Sequence, residues 1–139
     1  MVSCIVGQKG KGKTKHLLEK VRVSQETSKG NLVYIDKNTK HMFELDKTVR
    51  LIDISEYPLS SKEAFLGFIY GMLSQNYDLE AMFLDSFLTI ASCEVSDMAW
   101  MVKNLKEISE KYSVDFVLSV CADKEELPEE IYEDICVSL

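Results

Sequence analysis

The sequence is short of the features that mark several large protein classes. It has two prolines and six glycines among 139 residues, and no Pro-, Gly- or Ser-rich linker or shift in composition divides it. A chain of this length with 46% hydrophobic side chains can bury one core, so residues 1–139 are expected to form a single domain. No apolar run approaches the ~20 residues a membrane-crossing helix needs; the longest nearly uncharged one is Ala64 to Leu73. The opening residues read as a strand from the second position, with no export signal or anchor. A cytoplasmic protein without membrane insertion is the expectation. Cys-x-x-Cys pairs are missing too. Cys4, Cys93, Cys121 and Cys136 are scattered, three of them in apolar strand-like runs, which points to reduced, mostly buried thiols.

Positive charge is scarce. A net charge of −7 and a pI near 4.9 argue against a nucleic-acid partner, because Lys and Arg supply most of the affinity for a phosphate backbone. The exception is local: Lys9, Lys11, Lys13 and Lys15 crowd one short stretch with His16 beside them. A small positive focus on an acidic molecule attracts a compact anion.

Short β-branched or aromatic runs alternate with longer amphipathic ones, which predicts an α/β fold with a mostly parallel sheet between layers of helix. The strands are expected at 2–6, 31–36, 49–54, 81–86 and 114–120, with a short sixth in the final "ICVSL". A helix is expected over 13–27, ended by Gly30 as a stop residue. A second, over 61–75, carries Phe65, Leu66, Phe68, Ile69, Tyr70, Met72 and Leu73 and is apolar nearly all round. It calls for cover, either from a second helix or from another chain, with packing under the 37–48 loop as the alternative to a dimer contact, so the Phe65–Leu73 helix is a candidate surface for a homo-oligomer or protein partner. In the third helix, 96–112, Trp100 falls opposite the apolar stripe and is a second candidate anchor for a partner. The acidic segment 123–134 reads as a solvated last helix.

The stretch Gly7-Gln8-Lys9-Gly10-Lys11-Gly12-Lys13-Thr14 satisfies the P-loop pattern. It follows a buried-strand run and opens an amphipathic helix, the context in which glycines let backbone N–H groups wrap a β-phosphate. Lys13 is then the candidate bridge between β- and γ-phosphates, and Thr14 the hydroxyl offered to Mg²⁺. A carboxylate at the end of another core strand is needed for the water shell of Mg²⁺. Asp36, Asp53 and Asp85 all end apolar runs. Asp85 is favoured for its uniformly apolar run, and Asp53 is disfavoured because Ile54 suggests a strand that continues.

Through "GQKGKGKT", "VYID", "MFLDS" and "VDFVLSV" the chain resembles the P-loop NTPases of the RecA-like class over nearly its whole length. It is also similar to small bacterial proteins labelled as twitching-motility, or pilus-retraction, ATPases. The resemblance implies a three-layer αβα sandwich with strand order 3-2-4-5-1-6, and ATP with Mg²⁺ as ligands. It places the loop from Gly7 to Lys15 on the phosphates, Thr14 and Asp85 on the metal, and Ser119, or Asp123 just beyond, at the sensor position near the phosphate. For the group that polarises attacking water it offers Asp36, one methylene shorter than the family's glutamate, with Glu44 as a second candidate.

The chain has only two arginines, Arg22 and Arg50, neither on an evident finger loop. Lys37 or Lys40 substitutes less well for the transition-state arginine, since an ammonium lacks the guanidinium fork. The function implied is therefore a Mg²⁺-dependent ATPase with slow turnover, or a nucleotide-binding switch acting through a partner. A nucleotide kinase is a third reading, for which the 37–48 loop is the only spare lid. ATP is expected over GTP, since no Asn-Lys-x-Asp guanine motif occurs.

Overall fold

The computed structural model describes residues 1–139. Six strands, β1 (Val2–Gly7), β2 (Asn31–Asp36), β3 (Val49–Asp53), β4 (Leu79–Leu84), β5 (Asp115–Cys121) and β6 (Ile135–Ser138), form one sheet. Their order is β3-β2-β4-β5-β1-β6, with every neighbouring pair parallel. The helices are α1 (Lys13–Thr27), α2 (Lys62–Gln75), the single turn α3 (Phe87–Ile90) and α4 (Met98–Tyr112). The fold is an α/β three-layer sandwich in the expected strand order.

The two layers of helix are unequal. Side chains alternate across a strand, and the two resulting faces collect different clusters. Residues 33 and 35 of β2, 82 and 84 of β4 and 116, 118 and 120 of β5 join α2, α3 and α4 in a core of 30 buried residues. The opposite parity, with Ile5, Leu32, Tyr34, Val49, Ala81 and Phe83, meets only Leu17 and Val21 of α1 in a core of eight. The larger core takes Met98, Met101, Val102, Leu105 and Ile108 from α4, all buried. Each such side chain is worth about 1.5–3 kcal/mol of transfer free energy.

α2 finds its cover within the chain. Its start is capped by Ser61, whose hydroxyl accepts from the Ala64 N–H at 3.0 Å. Phe65, Leu66, Ile69 and Leu73 are buried in the larger core, Phe65 edge-on to Phe87 at 5.9 Å. Phe68 packs on Tyr57 at 5.0 Å and Tyr70 on Tyr112 at 6.2 Å. The 37–48 loop is not the cover: its Leu45 joins the α1 core, and Thr48 accepts from Gln25 of α1 at 3.1 Å. Val49 and Leu51 of β3 face the same thin layer and belong to that cluster with Leu45. Trp100 is 41% exposed, with the Lys62 ammonium 5.4 Å from its ring centroid, a cation–π contact within the chain.

Three other expectations are corrected. The segment 123–134 is not an α-helix but two short 3₁₀ turns, Lys124–Glu126 and Glu129–Asp134. Pro128 between them has no N–H to donate and holds Leu127 extended, which breaks any continuous helix. The cysteines divide evenly: Cys4 and Cys93 are buried, their thiols pushed by burial up to about 12, whereas Cys121 and Cys136 are exposed. Gly30 is not the helix stop. α1 ends at Thr27 with Ser28 in an extended conformation, and Gly30 is needed for close approach: a Cβ there would sit 2.4 Å from Glu80 Cγ and 2.5 Å from the Asp78 carbonyl oxygen.

Two glycine substitutions should therefore move stability in opposite directions. Gly30→Ala forces backbone apart and is expected to cost about 1–3 kcal/mol. Gly67→Ala, inside α2 with nothing within 4 Å of the new methyl, should stabilise by roughly 0.5–1 kcal/mol through helix propensity. Urea melts of both variants decide this.

Candidate functional site

In a parallel sheet all strands end at one edge, and ligands of such sheets bind outside it. Parity then selects who meets there. Asp36, Asp85 and Ser119 lie in register with Tyr34, Phe83 and Val117, whose side chains face α1, so all three emerge beside the N-terminus of that helix. They line a cleft of about 470 Å³ with Lys9, Gly10, Gly12, Lys13 and Thr14.

The loop between β1 and α1 is shaped by glycine. Gly10 and Gly12 have φ of 86° and 92°, values that side chains with a Cβ rarely adopt. Gly12 is the N-cap of α1. Among the loop amides, Lys11 N–H donates to the Gln8 carbonyl at 3.3 Å and His16 N–H to that of Gly12 at 3.3 Å. The N–H groups of Gly10, Gly12, Lys13, Thr14 and Lys15 donate to no backbone acceptor, the situation that makes a helix N-terminus attractive to anions. Lys13 Nζ donates to the Gln8 carbonyl at 3.0 Å and so stays over the loop.

Asp85 is the centre of the cleft. It is 2% exposed, and every element around it donates to its carboxylate. Ser119 Oγ from β5 donates to Oδ1 at 2.6 Å, Tyr34 OH from β2 to Oδ2 at 2.6 Å, and Thr14 Oγ1 from α1 to Oδ2 at 3.1 Å. Ser86 adds its N–H to Oδ1 at 2.9 Å and to Ser119 Oγ at 2.8 Å. It does so in the left-handed region, φ 54°, a conformation that costs a non-glycine residue about 1–2 kcal/mol. Burial first, then the charge of Asp85, raise the Tyr34 phenol well above its ordinary pKa, so Tyr34 remains a donor.

Asp36 is equally buried but less well served. One oxygen accepts from the Lys37 N–H at 2.7 Å; the other has no hydrogen-bond partner. Burial, and then repulsion from Asp85, raise its carboxyl above the usual carboxylate range against the opposing pull of the Lys37 N–H, His41 and Lys37.

The other expected residues lie farther out. Gly7 closes β1 opposite Cys121. Gln8 turns its amide to Glu126 at 2.7 Å. Lys11 is exposed and does not line the cleft; Lys15 lines a separate groove along α1, and so does Glu44. Glu44 is held by His41 Nδ1 at 2.8 Å. Asp123 caps a 3₁₀ turn. Asp53 also ends its strand, because Ile54 begins a 3₁₀ turn, and its carboxylate accepts from Ser55 N–H at 3.0 Å. It takes no part in the cleft. Tyr34, His41 and Thr89 belong to the site without having been singled out, and Ser86, noted in the sequence only through the Asp-Ser ending of "MFLDS", joins them. For Tyr34 the available signal was its parity with Asp36 in "LVYID"; for His41 there was none, since its placement depends on how the 37–48 loop folds back.

Compared with models of known protein families and with curated proteins, the chain matches none.

The buried, half-served carboxylate of Asp36 sets a pH dependence. A folded-state pKa above the unfolded one opposes folding once the unfolded group has ionised, so stability falls as pH rises from about 4 through the raised value. Asp36→Asn removes the charge while keeping an acceptor for Lys37. It should raise the melting temperature by a few degrees near pH 7, and the gain should vanish as the pH drops below about 4. Calorimetric melts of both proteins across that range measure it.

Proposed function

We propose that the chain binds the triphosphate of a nucleotide, ATP in preference to GTP, together with Mg²⁺, and hydrolyses it slowly. One observation carries the reading: the undonated amides of the glycine loop lie beside a Thr14 hydroxyl 3.1 Å from a buried strand-end carboxylate. An anion fits the first and a hydrated cation the second, so the two halves together fit a metal–phosphate pair. Thr14 and Asp85 would hold Mg²⁺, whose charge neutralises phosphate oxygens when bound. Tyr34, Ser119 and Ser86 keep the Asp85 carboxylate fixed in orientation. Lys13 exchanges the Gln8 carbonyl for phosphate oxygens, and Lys9 adds charge at the mouth.

Hydrolysis adds water to the γ-phosphorus and breaks its bond to the bridging oxygen. Asp36, with one oxygen free and its basicity raised by burial, is the group to orient that water and take its proton. Glu44, turned to His41 in another groove, is not.

No arginine lines the cleft. Arg22 is engaged by Glu19 and Glu26 on α1, and Arg50 is exposed on the edge strand β3. Without a guanidinium at the transition state, intrinsic turnover is expected on the order of 10⁻³ s⁻¹ or below. The same observation favours the second reading, a switch that binds nucleotide and waits for a partner.

Calorimetry with Mg-ATP and Mg-GTP is the test. Binding of Mg-ATP at micromolar or tighter affinity is expected, weakened at least ~100-fold by Lys13→Ala. Absence of heat with either nucleotide refutes the reading. Phosphate release measured on the same samples separates hydrolysis from the switch, which binds tightly and releases none.

A further inference from the structure

Across the cleft from the glycine loop, three side chains from separate segments converge. Asp36 comes from the end of β2, Asp85 follows β4, and His41 is carried in by the 37–48 loop. One ligand atom of each, a carboxylate oxygen from either aspartate and a nitrogen from the imidazole, lies within 4.8 Å of the other two. A small divalent cation takes nitrogen and oxygen ligands at about 2.0–2.2 Å, so the three atoms would have to draw together around it.

The surroundings are built for a cation. Asp36 is 2% exposed, and its second oxygen has no partner although it is not sealed from the cleft. That oxygen is an open ligand atom beside a second carboxylate. A divalent cation would satisfy it and cancel its repulsion with Asp85. His41 Nδ1 is engaged by Glu44 Oε2 at 2.8 Å, which leaves Nε2 free. Metal-binding histidines regularly carry a carboxylate on the other nitrogen, which fixes the ring and raises its basicity. At Asp85 the contacts from Ser119 and Tyr34 are short, and the one from Thr14, at 3.1 and 3.4 Å, is the weakest and the one a cation displaces.

We propose that Asp36, His41 and Asp85 form a binding site for one divalent transition cation of the Mn²⁺ or Zn²⁺ class, with Glu44 orienting the imidazole. The imidazole decides the class: nitrogen ligands suit transition metals, while Mg²⁺ and Ca²⁺ favour sites made of oxygen alone. The site takes no residue from the glycine loop, but it shares Asp36 and Asp85 with the proposed nucleotide site, so it belongs to the nucleotide-free protein.

Mn²⁺ is the probe of choice, because the exposed thiols of Cys121 and Cys136 would compete for Zn²⁺. Titration of the nucleotide-free protein, followed by loss of the free Mn²⁺ paramagnetic resonance signal, should give one ion per chain. Mg²⁺ should displace it only at roughly 100-fold or greater excess. Pulsed resonance should show one directly bound imidazole nitrogen. The chain has two histidines, so the nitrogen signal should survive His16→Ala and disappear in His41→Ala, with Mn²⁺ affinity falling at least tenfold. Glu44→Ala should lower affinity about tenfold, the effect of losing an outer partner of a ligand histidine. Absence of bound Mn²⁺, bound Mn²⁺ without nitrogen coupling, or unchanged affinity in His41→Ala overturns the proposal. Mg-ATP calorimetry on the unsubstituted protein keeps this outcome separate from that of the nucleotide reading, since the Mn²⁺ titration is made without nucleotide.

Discussion

The carboxylate of Asp85 sits at the end of a central strand almost wholly removed from water, and a charge so placed persists only where donors surround it. Four segments supply them: Tyr34 from β2, Ser119 from β5, Thr14 from the start of α1 and the backbone of Ser86. Because these donors belong to different elements, the requirement to satisfy one carboxylate fixes β2, β4, β5 and α1 relative to one another at the edge where the cleft opens. The left-handed conformation of Ser86 is part of the same constraint. Its backbone leaves the favoured regions so that one N–H reaches both Asp85 and Ser119.

The asymmetry of the sandwich follows from where that cleft must be. Three helices and the larger core occupy one face of the sheet, while α1 and the 37–48 loop occupy the other. The thick face supplies stability through α2 and α4. The thin face leaves the strand ends beside the N-terminus of α1 open, and a loop with few apolar anchors lies across them. Leu45 is its one contact with the core, whereas Phe43 and Met42 are exposed. Lys37, Asn38, Lys40 and His41 reach the cleft from this loop, so cations and an imidazole face the two aspartates there.

Much of the fold was legible in the residues. The β-branched runs of β1, β2 and β5 and the apolar stripe of α4 have the periods of their elements, and their boundaries fall within two residues of those expected from pattern. Segment 123–134 departs from a helix because the break imposed by Pro128 outweighs its acidic composition. At Gly30 the sequence is ambiguous, because a glycine that ends a helix and one that admits a neighbouring strand look alike until the strands are packed. The cover of α2 shows the same limit: an apolar helix announces that it needs a partner, and nothing local says whether a second helix, the 37–48 loop or another chain supplies it.

By itself the sequence determined the alternation of elements, the glycine loop at the mouth of α1 and the strand-end aspartates, because these depend on local backbone freedom and on side-chain period. Only the tertiary structure decided which aspartate is fully hydrogen-bonded and which is left with a free oxygen. Tyr34 could be identified as a donor to Asp85, and His41 as a neighbour of Asp36, only there as well. Those are contacts between residues 51 and 5 positions apart in the chain, set by strand order and by the return of a loop, and no local propensity encodes either.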